Sequence, residues 1–182
     1  AITGVMVLLV CGLGGIIARY SSTYLLGDGG SRRYARWLLL TLSAVTLLVI
    51  SNHLLVIAAA WMATSAALHQ LLTFYAERKA ALLAAHHKFV ISRLGDACVL
   101  GAVALIGQDA GSVALDDVAA HVARAAPSAS LQLGGVLLAV AACLKSAQLP
   151  FQGWLIRVME APTPVSALLH AGVVNLGGFV LI

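Results

Sequence analysis

Residues 145–170 read KSAQLPFQGWLIRVMEAPTPVSALLH. This stretch decides the fold, because it cannot be one straight helix. Residues 131–144 before it form an apolar run, and Lys145 stands at the inner end of that run. Pro150 follows five residues later. Proline lacks an N–H and clashes with the preceding turn, so a helix kinks or stops there. At membrane depth such a break is tolerated only where it is buried in protein or lines a wet cavity. A lysine at that depth is expensive and points to function. Pro162 and Pro164 then lead into a second apolar run carrying His170. Lysine, break and histidine in an apolar setting are the parts of an ion path. By position alone, a lysine snorkelling from a helix end to the interface fits equally well.

Composition supports a membrane setting. Of 182 residues, 61% are hydrophobic, against roughly 45–50% in a soluble domain, and the mean hydropathy is +0.98. Cys11, Cys98 and Cys143 lie far apart in apolar runs, without metal spacing, and read as small packing residues. The formal net charge of +4 reports topology rather than nucleic-acid binding. The basic residues lie in short loops without interleaved aromatics. No phosphate loop, nucleophile elbow or nucleotide fingerprint occurs, so nothing points to a stand-alone enzyme or to a cofactor.

The pattern predicts an all-α, polytopic transmembrane bundle of about six spans, with one proline-broken helix. Spans are expected at 2–18, 37–50, 54–75, 85–107, 131–147 and 165–182. A span needs about 20 apolar residues, so the shorter runs borrow flanking positions. The first run has no basic leader, so it is a helix rather than a signal peptide. The tract 19–36, with Gly27-Asp28-Gly29-Gly30 and four arginines, reads as a loop. So do the turn Ser51-Asn52-His53 and the charged connection 76–84. In 108–130, Val113, Leu115, Val118, Ala119 and Val122 suggest a short surface helix, and 151–159 a short helical piece after the break.

Six spans put Arg19, Arg32, Arg33, Arg36, Arg78, Lys79 and Arg157 on one side and only Arg124 on the other. By the positive-inside rule, loops 19–36, 76–84 and 150–164 are expected in the cytoplasm of a bacterial inner membrane, with 108–130 outside.

KSAQLPFQGWL followed by APTPVSALLHAG resembles the antiporter-like membrane subunits of respiratory complex I and of Mrp-type cation/proton antiporters. It also resembles the membrane subunit of the DAB inorganic-carbon uptake complex. The resemblance covers nearly the whole chain, most strongly 85–96 and 143–178. It implies two inverted five-helix repeats in the full subunit. Residues 37–182 match the first repeat, and 1–36 form a leading helix and cytoplasmic loop. Family subunits are longer, and this chain begins without Met and stops inside an apolar run. It is therefore expected to be an internal segment of a larger subunit.

In that superfamily the lysine of K-S-A-Q-x-P takes part in proton transfer at a discontinuous helix. It maps onto Lys145, and the histidine of S-A-L-x-H-A maps onto His170. Burial disfavours an ammonium, so a buried lysine can exchange a proton near neutral pH. Histidine titrates near pH 6.5 and suits a relay; a satisfied core histidine is the plainer reading. Arg93 and Asp96 share a helix face at i and i+3 and are expected to pair, as relay members or as a structural pair. A relay lysine of complex I aligns with His87, so His87 or the adjacent Lys88 is expected to stand in for it, unless both belong to a solvated helix start.

One departure separates this chain from complex I and Mrp subunits. They carry Trp-Glu where this chain has Trp61-Met62, and that glutamate pairs with the lysine matching Lys145. Met62 cannot hold a charge. His69, two turns along the same face, is a distant stand-in or a structural residue. Glu160 is a further titratable group, more naturally a solvated loop charge. The run SAALHQLLTFYAERKAALLAAHHKFVISRLGD resembles the carbon-uptake branch. That implies a large soluble, zinc-containing, carbonic-anhydrase-like partner subunit. No zinc constellation occurs here, so hydration chemistry would belong to the partner. The expected function is proton or sodium translocation coupled to CO2 or bicarbonate capture. A complex I or Mrp subunit and a purely structural anchor for a soluble enzyme are the alternatives.

Overall fold

The computed structural model describes residues 2–75, 77, 79–124, 126, 128–149, 151–157 and 162–181. Helices dominate for a simple reason. In hydrocarbon every backbone N–H and C=O must find a partner within the chain, and a helix supplies all of them locally. Among the described residues, α1 (Ile2–Tyr24), α2 (Ser31–Ile50), α3 (Leu54–Leu72) and α4 (Lys79–Ala110) are long and apolar enough to cross a membrane. At the helical rise α1 to α3 each measure roughly 30 Å, the thickness of a bilayer core. α4 measures about 48 Å and outlasts it.

The expected loop at 19–36 is shorter than its charge suggested. α1 runs through Arg19 to Tyr24, and α2 starts at Ser31. Gly27, with φ of 88°, turns the chain between them, and the Asp28 carboxylate accepts from the Gly30 N–H at 2.9 Å. α4 likewise begins six residues before its expected start. Arg78, Pro150 and Glu160 lie outside the described residues, as does the end of the sixth run at Ile182.

α3 is the central helix: half of its apolar window is buried, against 17% for α1. Val5, Leu8 and Ile16 of α1 face outward. At the far end of α3, the turn 51–53 is pinned to the loop after α4. Leu54 N–H donates to Val113 O at 2.8 Å and Leu115 N–H to Asn52 O at 3.0 Å. The Asn52 amide adds a bond to Asp116 at 2.5 Å. The expected surface helix follows as α5 (Leu115–Arg124), with no buried residue.

α6 (Ala129–Lys145) is capped by the Ser128 hydroxyl, which accepts from Leu131 N–H at 3.0 Å. It packs mainly against α4. A β-carbon at Gly134 would stand 2.7 Å from Ile106 Cγ1, so only glycine permits this approach of α6 to α4. α6 stops at Lys145, earlier than the proline demands. Ser146 is its C-cap, Ala147 takes a left-handed φ of 52°, and Gln148 N–H reaches back to Cys143 O at 3.2 Å. This is the six-to-one closure of a Schellman ending, with alanine where glycine is usual.

Beyond the break come α7 (Gly153–Arg157) and α8 (Thr163–Leu168), a π-helical turn at Leu169–Val173, and α9 (Leu176–Leu181). The expected sixth span is therefore interrupted, and the interruption carries His170. α9 returns against α6.

Candidate functional site

Three helices deliver polar groups to one dry place. α6 ends there and brings Lys145, which is 7% exposed. Its position in the last turn is electrostatically sound, because the unpaired carbonyls of a helix C-terminus attract a cation. α4 brings Asp96, buried at 3% exposure. Its carboxylate is shared. Oδ1 pairs with Lys145 Nζ, and Oδ2 with the Arg93 guanidinium at 2.6 Å. α3 brings Trp61 and Ser65, one turn apart on one face. Lys145 Nζ donates to Ser65 Oγ at 3.3 Å and to Trp61 O at 3.5 Å. It also sits over the Trp61 ring, 4.8 Å from the centroid, a cation–π contact. Gly95 leaves room for the lysine stem to lie across α4: an added β-carbon would meet Lys145 Cγ at 3.1 Å.

A second lysine reaches the same place. Lys88, 4% exposed, donates from Nζ to the Ser65 backbone carbonyl at 3.2 Å. Along α3, Ser65 lies about 16 Å from Leu54, and Asp96 about 21 Å back from the end of α4. Those two helix ends adjoin at the pinned turn, so the cluster sits near mid-membrane. Two cationic side chains meet one carboxylate here, and a third, Lys88, ends on Ser65. A buried charge without a partner is costly, and Asp96 is the carboxylate that Lys145 and Arg93 share. A cavity of about 580 Å³ runs from Asn52 and Asp116 past Leu54 and Ile57 to Trp61 and Val99. It runs from the start of α3 to Trp61, whose ring lies against Lys145.

Residues 51–182 match the family model described as NADH:quinone oxidoreductase/Mrp antiporter, transmembrane part. The chain belongs to this family. Over 180 residues it is 48% identical to a "Probable inorganic carbon transporter subunit DabB" of Hydrogenovibrio crunogenus, covering 98% of this chain and 35% of that protein. It is 46% identical to a "Probable inorganic carbon transporter subunit DabB2" of Halothiobacillus neapolitanus, covering 100% and 33%. NADH-quinone oxidoreductase subunit L of Mycobacterium tuberculosis is 38% identical over 97% of this chain and 28% of its own length. Among solved structures, the Mrp complex from Dietzia sp. DQ12-45-1b superposes with a TM-score of 0.87 at 32% identity. That match covers 98% of this chain and 20% of the solved one. The chain thus spans about a third of the length of its carbon-transporter relatives.

Within this antiporter-family segment the singled-out residues divide. Lys145, Asp96, Arg93 and Lys88 come together. Arg93 reaches outward, its side chain 38% exposed, and stacks 5.0 Å from the Phe89 ring. His87 is exposed, so of the adjacent pair Lys88 points inward. His69 is half-buried and packs against Phe89 and His86, with ring centroids 4.7 and 5.7 Å away, rather than against Lys145. His170 is exposed on the π turn. Met62 is half-buried; the missing glutamate leaves no gap, because Asp96 supplies the carboxylate from α4.

Sequence pairs Asp96 with Arg93 and leaves it as one of several counter-charges open to Lys145, beside His69 or a residue of the second repeat; it gives no sign of Ser65. A signal for Lys88 was present. Lys88, Ser92, Asp96, Val99 and Val103 recur at helical spacing and are all buried, whereas His87 is half a rotation from Asp96.

Proposed function

We propose that this chain is part of the ion-translocating membrane subunit of an inorganic-carbon uptake complex in a bacterial inner membrane. Proton or sodium movement through it would drive CO2 or bicarbonate capture by a large soluble, zinc-containing partner. The observation that carries this reading is the buried Lys145–Asp96 pair at the end of a broken helix, in a chain 48% identical to a probable inorganic carbon transporter subunit. Broken helices whose ends face a buried charge are a recurrent device of transporters. Lys145 gives up a proton and becomes a neutral amine; Asp96 then retains Arg93 as its counter-charge, so the carboxylate is never left unpaired. His170 and His69 lie outside this contact set and serve, in this reading, as later stations of the path.

The test is uptake of labelled inorganic carbon in a strain lacking the gene, complemented with the full-length subunit and its neighbouring gene, at low and high CO2. Rescue of growth at low CO2 supports the reading. Normal growth at ambient CO2, with loss of NADH-driven proton pumping, would place the chain in a respiratory complex instead. A purely structural anchor would transport normally with Lys145→Ala. Reporter fusions near Arg33 and Lys79 are expected in the cytoplasm and one near Asp116 outside, as the positive-inside rule demands.

A further inference from the structure

The geometry points to Ser65 as the residue that joins two buried lysines, Lys145 on α6 and Lys88 on α4, into one proton-exchanging unit. This inference rests on the role of Lys145 proposed above. Both lysine side-chain nitrogens converge on this one residue of α3: Lys145 on its hydroxyl at 3.3 Å and Lys88 on its carbonyl at 3.2 Å. Ser65 is itself buried, at 6% exposure. The neighbouring Thr64 hydroxyl is committed within its own helix, donating to Ala60 O at 2.8 Å. The Ser65 hydroxyl instead faces across the helix interface.

The distribution of charge shows why such a junction matters. Lys145 has Asp96 beside it. Lys88 has no carboxylate partner among the described residues, and Lys145, Asp96 and Arg93 are the charges that act on it. The two amines therefore compete for the stabilisation that Asp96 offers. A hydroxyl both donates and accepts, whereas a carbonyl only accepts. Ser65 Oγ can accept from the Lys145 ammonium and donate to the neutral amine.

The exchange balances. An N–H bond of Lys145 breaks as an O–H bond forms on Ser65 Oγ. The original hydroxyl proton leaves Oγ and forms an N–H bond on the neutral Lys88 amine, which swings from the Ser65 carbonyl to its hydroxyl. Serine ends neutral, and one positive charge has moved from α6 to α4.

The experiment uses the full-length subunit in its complex, with proton flux into membrane vesicles and labelled carbon uptake as readouts. Ser65→Ala keeps the carbonyl and removes only the hydroxyl. It is expected to slow both about tenfold or more, the scale of a lost proton-transfer group, with complex abundance unchanged. Ser65→Thr is expected to restore transport. In a Lys88→Met background, Ser65→Ala should add little, because the two act in series. Wild-type flux with Ser65→Ala, failure of Ser65→Thr to rescue, or loss of the assembled complex with Ser65→Ala would each overturn the inference. Lys145→Ala is run in parallel. If Lys145→Ala is inactive while Ser65→Ala is normal, only the junction falls. If both are normal, the role of Lys145 falls with it.

Discussion

α4 carries two aspartates that are held in opposite ways. Asp96, in the middle of the helix, is buried and gripped by two cations, Lys145 and Arg93. Asp109, near the helix end, is held chiefly by neutral donors. Ser128 and Ser130 hydroxyls donate to its Oδ1 at 2.6 and 3.0 Å, and His121 approaches Oδ2 at 3.2 Å. These contacts tie α4 to α5 and to the start of α6, where Ser128 also serves as the cap. Serine donors satisfy this carboxylate without adding a charge, which suits a latch. Lysine donors carry exchangeable charge, which suits transfer. In the proposed function, one helix thus separates its structural carboxylate from its working one by depth in the membrane.

Substitutions should widen that contrast. The largest effect is expected from Lys145. Lys145→Ala should lower carbon uptake about a hundredfold or more while the complex still purifies. Lys145→Arg should fail as well, because guanidinium keeps its charge but does not release a proton. Wild-type uptake by Lys145→Arg would return this residue to a purely electrostatic role.

Asp96→Asn comes next. It leaves buried cations without their carboxylate, a defect worth about 3–5 kcal/mol. Uptake should fall steeply and thermal stability with it; Asp96→Glu should recover part of both. An Asp96→Asn complex with normal uptake would separate the ion pair from transport.

Asp109→Ala probes the other half of the comparison. It strips three contacts from the latch and should show as a lower melting temperature of the purified complex. Uptake per assembled complex should be unchanged. A transport defect at constant stability would make Asp109 part of the path.

The smallest effect is expected from Met62→Glu. It places a second carboxylate beside Trp61, stabilises the Lys145 ammonium and slows release of its proton. Uptake should drop modestly. An increase would mean that Asp96 alone is an insufficient counter-charge.

Much of this was legible in sequence. The lysine at the inner end of an apolar run, the prolines beyond it and the long KSAQLPF motif already announced a broken helix in a membrane. The position of the break was less legible. α6 ends on a left-handed Ala147, and no alanine advertises that conformation. The phase of α4 was readable but needed a reference point: Asp96 on the buried face puts Lys88 inside and His87 outside.

Sequence by itself determined the membrane setting, the helical periodicity and the local Arg93–Asp96 pair. Each follows from composition or from spacing within one helix. Only the tertiary structure decided that Asp96 belongs to Lys145, that Ser65 stands between two lysines, and that His170 lies apart from them. Those contacts join residues on different helices. Their choice depends on which faces pack and on how closely glycines such as Gly95 and Gly134 let the backbones approach, and no periodicity within a single helix encodes it.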